Sequence, residues 1–366
     1  MGDIPISLLV SVLGFVLGGL FGATAQRTGF CTMGAISDAV FMDDWNRFRS
    51  WMLAIAVAVL GSQALYQSGA VDLGKSIYLT TNLGWLGAIV GGLLFGFGMT
   101  MSGGCGNKTL VRLGAGNLKS LVVALVLGLF AYMTLRGIIG LARVQMEAAA
   151  NLDLAARGLS TQGIPDLLAA AGLPLSTARL AVTAAVVAGL LWFCFKSAEF
   201  RNSRRDVAAG LIIGALVPLG WYITGVIGHD EFQPTPLASV TFVAPVGEGV
   251  QYLMTFTGAT INFGIAVVGG VIVGSFLAAK LSGEFRVEAF TDADDMIRHL
   301  IGGAMMGVGG VLALGCTIGQ GITGVSTLAV GSLIALLSIL AGGVLGLKYI
   351  EQGSLGGALG ALFARS

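Results

Sequence analysis

Apolar segments long enough to cross a lipid bilayer recur along the whole chain, separated by short polar or charged stretches. About 20 apolar residues span the hydrocarbon core as a helix. The pattern predicts spans at about residues 6–21, 51–66, 85–101, 121–139, 180–195, 207–227, 302–316 and 328–347. It also predicts an ordered loop at residues 228–249, and a short helix plus a ninth span within residues 252–279. Ten-residue segments of alternating polarity, typical of outer-membrane barrels, do not occur in the sequence. The sequence therefore predicts an all-α polytopic membrane protein.

Three apolar segments contain glycines at matching positions and lead to a cysteine. Residues 91–105 (GGLLFGFGMTMSGGC) and 302–316 (GGAMMGVGGVLALGC) each begin with a glycine pair and reach cysteine at the fifteenth position. Residues 18–31 (GGLFGATAQRTGFC) repeat the pattern with one residue fewer. Self-similarity of this kind indicates a repeated structural unit. We interpret the fold as organised around the three thiols.

An alanine-rich stretch with scattered charges, residues 141–178, interrupts the apolar pattern. We interpret it as a surface connector with one or two short helices, between a first membrane half (1–140) and a second (179–366). The glycine-rich turns beside the cysteines favour broken helices, which are common in transporters built from related halves. We expect about nine spans plus short re-entrant helices.

Composition and charge exclude several classes of protein. The 366 residues are 55% hydrophobic and 11% charged, with a net charge of +1 and two histidines. This balance predicts no nucleic-acid partner and a lipid bilayer as the surroundings. Few histidines, and no acidic residue at the centre of a clear span, argue against a haem protein, a zinc enzyme or a carboxylate-based proton pump. We expect neither a metal nor a cofactor.

Basic stretches predict the orientation in the membrane. The positive-inside rule assigns residues 196–205 and 108–119 to the cytoplasm, and hence the connector and the N-terminus to the outside. Residues 1–22 lack a basic n-region, so we expect no cleavable signal peptide.

Each repeat cysteine lies where an apolar segment meets a glycine-rich turn. Cys105 stands between Gly104 and Gly106, and Cys316 follows Gly315. Helix ends expose N–H groups and a partial positive charge that favour an anion. A thiol is a weak donor and a soft, polarisable acceptor. Together with Cys31, these thiols favour a soft, sulfur-containing anion over a hard one such as sulfate.

Five further residues are candidates beside the thiols. Arg27, Lys108 and Arg112 are predicted to concentrate an anion at the mouths of the path. Gln320 and Thr317, next to the third cysteine, are predicted to line it.

Other conspicuous residues receive no role in transport. Cys194, in the stretch LWFCF with no glycine near it, is interpreted as a small buried residue. His229 and His299 lie at loop edges, and residues 196–205 are interpreted as a determinant of topology.

The stretches AQRTGFC (25–31), MSGGCGNKTLVRLGAGNLKS (101–120) and GCTIGQGITGVS (315–326) resemble the YeeE/YedE family of bacterial inner-membrane proteins, which includes thiosulfate transporters. The likeness covers nearly the whole chain except the connector. It implies a multi-pass, hourglass-shaped helical fold with short helices meeting at the waist. It also implies thiosulfate uptake, with the three repeat cysteines contacting the ion through S–H···S hydrogen bonds.

The resemblance further implies a separate, small soluble sulfur carrier of the TusA type as a cytoplasmic partner. Some relatives are linked to selenium or to other sulfur species, so a different substrate is one alternative. No GxxxxGK[ST] motif for ATP occurs in the sequence, so we expect transport down a gradient or driven by cytoplasmic consumption.

Two alternatives belong to other functional classes. A membrane thiol enzyme that forms a persulfide would need a thiolate of low pKa, and the sequence has neither a CxxC motif nor a histidine beside a cysteine. A purely structural membrane subunit would tolerate loss of all three thiols. We expect a transporter, not an enzyme.

Overall fold

The structure is a computed structural model that describes residues 5–230 and 235–363. Its helices are α1 (Ile6–Thr28), α2 (Thr32–Phe41), α3 (Asn46–Gln67), α4 (Trp85–Met101), α5 (Gly106–Gly114), α6 (Leu118–Arg136), α7 (Ile138–Ala150), α8 (Ile164–Ala170), α9 (Leu175–Phe195), α10 (Ala198–Asn202), α11 (Arg204–Tyr222), α12 (Val243–Met254), α13 (Phe263–Ser282), α14 (Ala293–Leu312), α15 (Val330–Gln352) and α16 (Leu355–Phe363). Strand β1 (Asn82–Leu83) pairs antiparallel with β2 (Leu152–Asp153). Two π-helical turns cover Ile223–Ile227 and Gly319–Gly324.

Eight described segments are long and apolar enough to cross a membrane, which confirms the predicted all-α polytopic membrane fold. Two of them join a long helix to a short one: Ile6–Phe41 contains α1 and α2, and Trp85–Gly114 contains α4 and α5. Helix α14 has a similar length but begins with Asp294 and Asp295. Its apolar remainder packs against α4 and α6, so it completes the membrane body together with the eight.

Glycines bring the long helices together backbone to backbone. A Cβ atom on Gly18 of α1 would overlap the carbonyl group of Val267 in α13, and one on Gly96 of α4 would overlap that of Ile339 in α15. In lipid, such close approach supplies the van der Waals packing that holds helices together. Helix α1 therefore packs on α13, and α4 on α14 and α15, so the two predicted membrane halves interleave.

One face of the molecule holds both basic stretches, and we call it the basic face. Lys119 Nζ donates to Asp295 Oδ2 (2.7 Å), which joins the start of α6 to the start of α14. Arg205, at the start of α11, lies beside Gly29 at the end of α1. The positive-inside rule predicts this face to be cytoplasmic.

The connector lies at the opposite face, which we call the connector face. Helix α3 starts beside the start of α11 and ends here, where the Arg179 guanidinium lies 3.9 Å from the ring centroid of Tyr66. Gln162 O accepts from Val330 N (3.1 Å) at the start of α15. Most of α7 and all of α8 fall within residues 141–178, as the interpretation of short helices requires. The domain boundaries themselves stay a prediction.

Residues 228–249, predicted to form a loop, contain the first turns of a helix, because α12 begins at Val243. Pro245 stands in the first turn, where a missing N–H leaves no helical hydrogen bond unmade, so the proline does not prevent the helix. Glu231, part of the same predicted loop, lies outside the described residues.

The chain before α12 re-enters the molecule from the connector face. Thr224 Oγ1 donates to Ala238 O (2.7 Å) and Ser239 Oγ donates to Val217 O (2.7 Å), so this stretch runs back along α11. It turns at Phe242, which is fully buried, and continues as α12. A re-entrant loop thus reaches the centre of the molecule, and the loop itself contains no cysteine.

Candidate functional site

Cys31 and Cys105 each lie at a break between a long helix and a short one. Gly29 ends α1 with φ 70°, and Gly103 follows α4 with φ 68°, a left-handed backbone that favours glycine. Each cysteine then adopts an extended backbone and directly precedes α2 or α5. The breaks therefore place the free N–H groups of two helix starts inside the membrane body.

The two thiols meet. The Cys31 and Cys105 side chains lie close enough to interact, and both are buried. The backbone N–H of Gly34 points to the Cys31 thiol, and that of Lys108 points to the Cys105 thiol. Cys105 Sγ also donates to Asn107 Oδ1. Two of the three repeat cysteines thus form one cluster with N–H groups from two helix starts.

Cys316 joins this cluster through its neighbour in sequence. The Thr317 hydroxyl faces the Cys105 thiol and has no oxygen or nitrogen partner in the described part of the chain. Cys316 is itself fully buried, and the Gly319 N–H donates to its Sγ at 3.4 Å. The N–H of Phe242, from the re-entrant loop, points to the same thiol. The structure therefore brings all three predicted cysteines to one central region.

Two residues beside Cys316 were missed by sequence reasoning. Thr241 is at the tip of the re-entrant loop, Tyr78 is in the segment between α3 and α4, and their hydroxyl groups lie close together. Tyr78 Oη lies 3.7 Å from the position of a Cβ atom on Gly319. Burial, and then the nearby Cys316, raise the pKa of the Tyr78 phenol, so the hydroxyl keeps its proton and can donate. Neither residue belongs to a glycine–cysteine repeat, and an isolated hydroxyl residue in a loop gives no signal in the sequence.

Gln320 lies beside Cys316, as predicted. Its Nε2 donates to Ala313 O, while its Oε1 has no partner in the described structure. A cavity of about 20 Å³ separates Gln320 from Tyr78 and from Gln162 of the connector. A space of this size holds at most one water molecule. The connector therefore covers the outer side of the cysteine cluster closely.

The three glycines predicted beside the thiols differ in how tightly they are packed. A Cβ atom on Gly315 would lie 3.1 Å from Gln320 Cγ, and one on Gly104 would lie 3.2 Å from Lys108 Cγ. A Cβ atom on Gly106 would meet no atom closer than 3.9 Å. Close packing thus requires a small residue at Gly315 and Gly104, whereas the surroundings of Gly106 leave room for a side chain.

Buried polar atoms without a hydrogen-bond partner follow each repeat cysteine within four residues. In the described part of the chain they include Thr32 Oγ1, Asn107 Nδ2, Thr317 Oγ1 and Gln320 Oε1. An unpaired buried polar group costs free energy, and native proteins pair such groups with protein, water or ligand. These atoms therefore favour a polar occupant at the centre.

A cavity of about 660 Å³ opens at the basic face and is lined by five lysines and arginines but only three carboxylates. Lys119 is paired with Asp295. Lys108 and Arg112 have no carboxylate partner among the described residues, and Lys108 lies near the Cys31 and Cys105 thiols. The structure thus places both predicted cations, and their positive charge, between this cavity and the thiols.

The remaining residues noted in the sequence lie elsewhere. Arg27 is exposed in an apolar groove between α1 and α13, away from the basic cavity. Cys194 packs in a separate cluster, and its Sγ donates to Arg49 O (3.2 Å). His299 lines the basic cavity, and His229 lines another of about 660 Å³ at the connector face.

Comparison with known proteins identifies the class of molecule. Residues 27–345 match the family model described as sulphur transport. The chain belongs to the YeeE/YedE family. This confirms the resemblance given by the cysteine segments, and it places the chain among transporters, not enzymes. The sulphur transport family match includes all three cysteines of the central cluster.

Two curated relatives of the YeeE/YedE chain have the same name. This chain is 29% identical over 331 residues to the thiosulfate transporter TsuA of Escherichia coli (strain K12), and the match covers 84% of this chain and 86% of the relative. It is 27% identical over 320 residues to the thiosulfate transporter TsuA of Spirochaeta thermophila, covering 86% of this chain and 91% of the relative. Both similarities extend over most of the membrane body.

Proposed function

We propose that this YeeE/YedE protein takes up thiosulfate across the bacterial inner membrane, with Cys31, Cys105 and Cys316 as successive contacts. One observation carries the proposal: three buried thiols share a central region with polar atoms that have no partner. The two relatives named thiosulfate transporters support the choice of substrate.

The contacts suit the chemistry of thiosulfate. The ion has a soft terminal sulfur and three hard oxygens on the other sulfur atom. A thiol can donate weakly to the soft sulfur, while helix N–H groups and hydroxyl groups take the place of water around the oxygens. Conduction needs binding that is favourable enough to enter and weak enough to leave. A series of thiols meets that requirement without covalent chemistry.

The two faces give the path a direction. With the basic face in the cytoplasm, thiosulfate enters from the connector face and meets Cys316 first. It then passes Thr317 to the pair formed by Cys31 and Cys105. Lys108, next to this pair, draws the ion into the basic cavity.

Consumption on the cytoplasmic side supplies the driving force in this scheme. A small soluble sulfur carrier of the TusA type, docked at the basic face, would accept the sulfur and keep the cytoplasmic concentration of thiosulfate low. Its removal should lower the rate of net uptake without changing the affinity of the transporter for thiosulfate.

Growth of a bacterium that lacks thiosulfate uptake tests the proposal. Supplied with thiosulfate as its only sulfur source, the strain should grow when it expresses this protein or the Cys194→Ala variant. It should fail with Cys105→Ala or Cys316→Ala at equal membrane expression. Failure of the wild-type protein to restore growth would contradict thiosulfate as the substrate and favour another sulfur or selenium anion.

The contact between Cys31 and Cys105 favours one second candidate, a membrane thiol enzyme that forms a persulfide. In that case, a cysteine thiolate would attack the terminal sulfur of thiosulfate, the S–S bond of the ion would break and sulfite would leave. Intact-protein mass spectrometry after exposure to thiosulfate would then show added sulfur that a reductant removes. The transport proposal predicts an unchanged mass.

A further inference from the structure

Tyr78 and Thr241 form a pair of hydroxyl groups on the connector side of Cys316. Tyr78 is 4% exposed, and its ring packs edge to face on Trp221 with centroids 6.3 Å apart. Its hydroxyl and that of Thr241 both lie within 4 Å of the position of a Cβ atom on Gly319, close to Cys316. This is the position that an ion from the connector face reaches first.

The surrounding structure fixes Thr241 in place. Thr323, in the π-helical turn after Cys316, donates from Oγ1 to Val240 O (2.6 Å). One residue earlier in the chain, Ser239 Oγ is hydrogen-bonded to α11. The two residues before Thr241 are thus tied to rigid elements, while Thr241 itself is only partly buried. A side chain held in this way is suited to selective binding, because little freedom is lost when it binds.

Hydroxyl groups and thiols prefer different acceptors. A hydroxyl donates well to hard, negatively charged oxygen, and hydrogen bonds to charged groups are about twice as strong as neutral ones. A thiol is a weak donor and suits soft sulfur. A site with one thiol, two hydroxyl groups and the Gly319 N–H therefore matches an anion that is soft at one end and rich in oxygen at the other.

We propose that Tyr78 and Thr241 bind the oxygens of thiosulfate while Cys316 contacts its terminal sulfur, so that the hydroxyl pair selects sulfur oxyanions over soft anions without oxygen. This inference rests on the proposed function and assigns its substrate selectivity to two residues outside the cysteine repeats. The inference also predicts the orientation of the bound ion, with its oxygens toward Tyr78 and its terminal sulfur toward the Cys316 thiol.

Uptake of ³⁵S-thiosulfate into proteoliposomes tests the inference with Tyr78→Phe, which keeps the ring that packs on Trp221. We expect the KM for thiosulfate to rise about tenfold to hundredfold, the range for loss of a hydrogen bond to a charged group. Inhibition by thiocyanate, a soft sulfur anion without oxygen, should change less than twofold. Tyr222→Phe is the matched control, since Tyr222 is 41% exposed on α11.

A double variant distinguishes binding of one thiosulfate ion by both hydroxyl groups from structural damage caused by the substitutions. If both hydroxyl groups bind one ion, Thr241→Val should have a much smaller effect in the Tyr78→Phe background than in the wild type. An unchanged KM in Tyr78→Phe overturns the inference, as does an equal loss of thiosulfate and thiocyanate binding. Absence of thiosulfate uptake by the wild type overturns the proposed function and this inference together, whereas uptake with an unchanged variant overturns the inference alone.

Discussion

The Thr317 hydroxyl faces the Cys105 thiol, although the two residues come from different membrane halves. This contact joins the cysteine pair of the first half to Cys316 of the second. In the proposed path, an ion that moves from Cys316 to the cysteine pair passes this contact. The unpaired state of the hydroxyl in the described structure leaves it available to that ion.

Thr317→Val should therefore slow uptake without unfolding the protein, because valine keeps the shape and removes the hydroxyl. We expect kcat/KM for thiosulfate to fall about tenfold, as for loss of one hydrogen bond to an anion. Thr183→Val is the matched control, since Thr183 Oγ1 on α9 is also buried and unpaired but lies outside the central cluster. Equal losses in the two variants would argue for a general packing effect.

Cadmium should block the protein by bridging Cys31 and Cys105. Soft thiol ligands in contact bind soft metal ions in preference to hard ones. We expect Cd²⁺ to inhibit thiosulfate uptake by the wild type at micromolar concentration, and a chelator to restore it. Uptake that remains in Cys31→Ser or Cys105→Ser should be at least tenfold less sensitive, while Cys194→Ser should behave as the wild type. Equal sensitivity in all variants would contradict the contact.

Lys108→Gln should weaken the interaction of the protein with anions, whereas Arg27→Gln should not. Lys108 has no carboxylate partner among the described residues and lies next to the cysteine pair, while Arg27 faces an apolar groove. We expect uptake at low thiosulfate concentration to fall about threefold to tenfold in Lys108→Gln, with the difference shrinking at high salt as charges are screened. A larger loss in Arg27→Gln would show that the path runs along the outside of α1.

Gly18→Ala should destabilise the membrane body. The added Cβ would overlap the carbonyl group of Val267, so α1 and α13 would have to separate. Overpacking of this kind costs about 1–3 kcal/mol. Gly249→Ala meets no atom within 4 Å and lies inside α12, so it should be neutral or slightly stabilising. Thermal unfolding in detergent compares the two, and equal melting temperatures would contradict the backbone contact.

The sequence could predict the membrane fold and the gathering of cysteines, because both depend on local patterns. Apolar runs indicate where the long helices lie, and a glycine turn before Cys31 and before Cys105 indicates where the helices break. It could not predict that these two thiols touch, since their separation depends on how α1 and α4 pack in three dimensions. Nor could the sequence show that Arg27 and Lys108 have different surroundings. Both stand close to a repeat cysteine, and only the direction in which each helix presents its side chain distinguishes them.

The re-entrant loop shows a second limit. Its hydroxyl residues look like ordinary loop residues, because their partners lie on α11 and in the π-helical turn after Cys316, far away in sequence. Thr241 and Tyr78 become neighbours only when both loops enter the membrane body. Sequence patterns that repeat are visible, whereas a site completed by two unrelated loops is not.

Initial rates of ³⁵S-thiosulfate uptake into proteoliposomes, measured for the wild type and for single Cys→Ala variants, test the central claim most directly. The account predicts uptake by the wild type and by Cys194→Ala at similar rates, and rates at least about a hundredfold lower for Cys105→Ala and Cys316→Ala, since each removes a contact from the only series of thiols in the described core. Rates within twofold of the wild type in all three of these variants would show that thiosulfate crosses without the thiols.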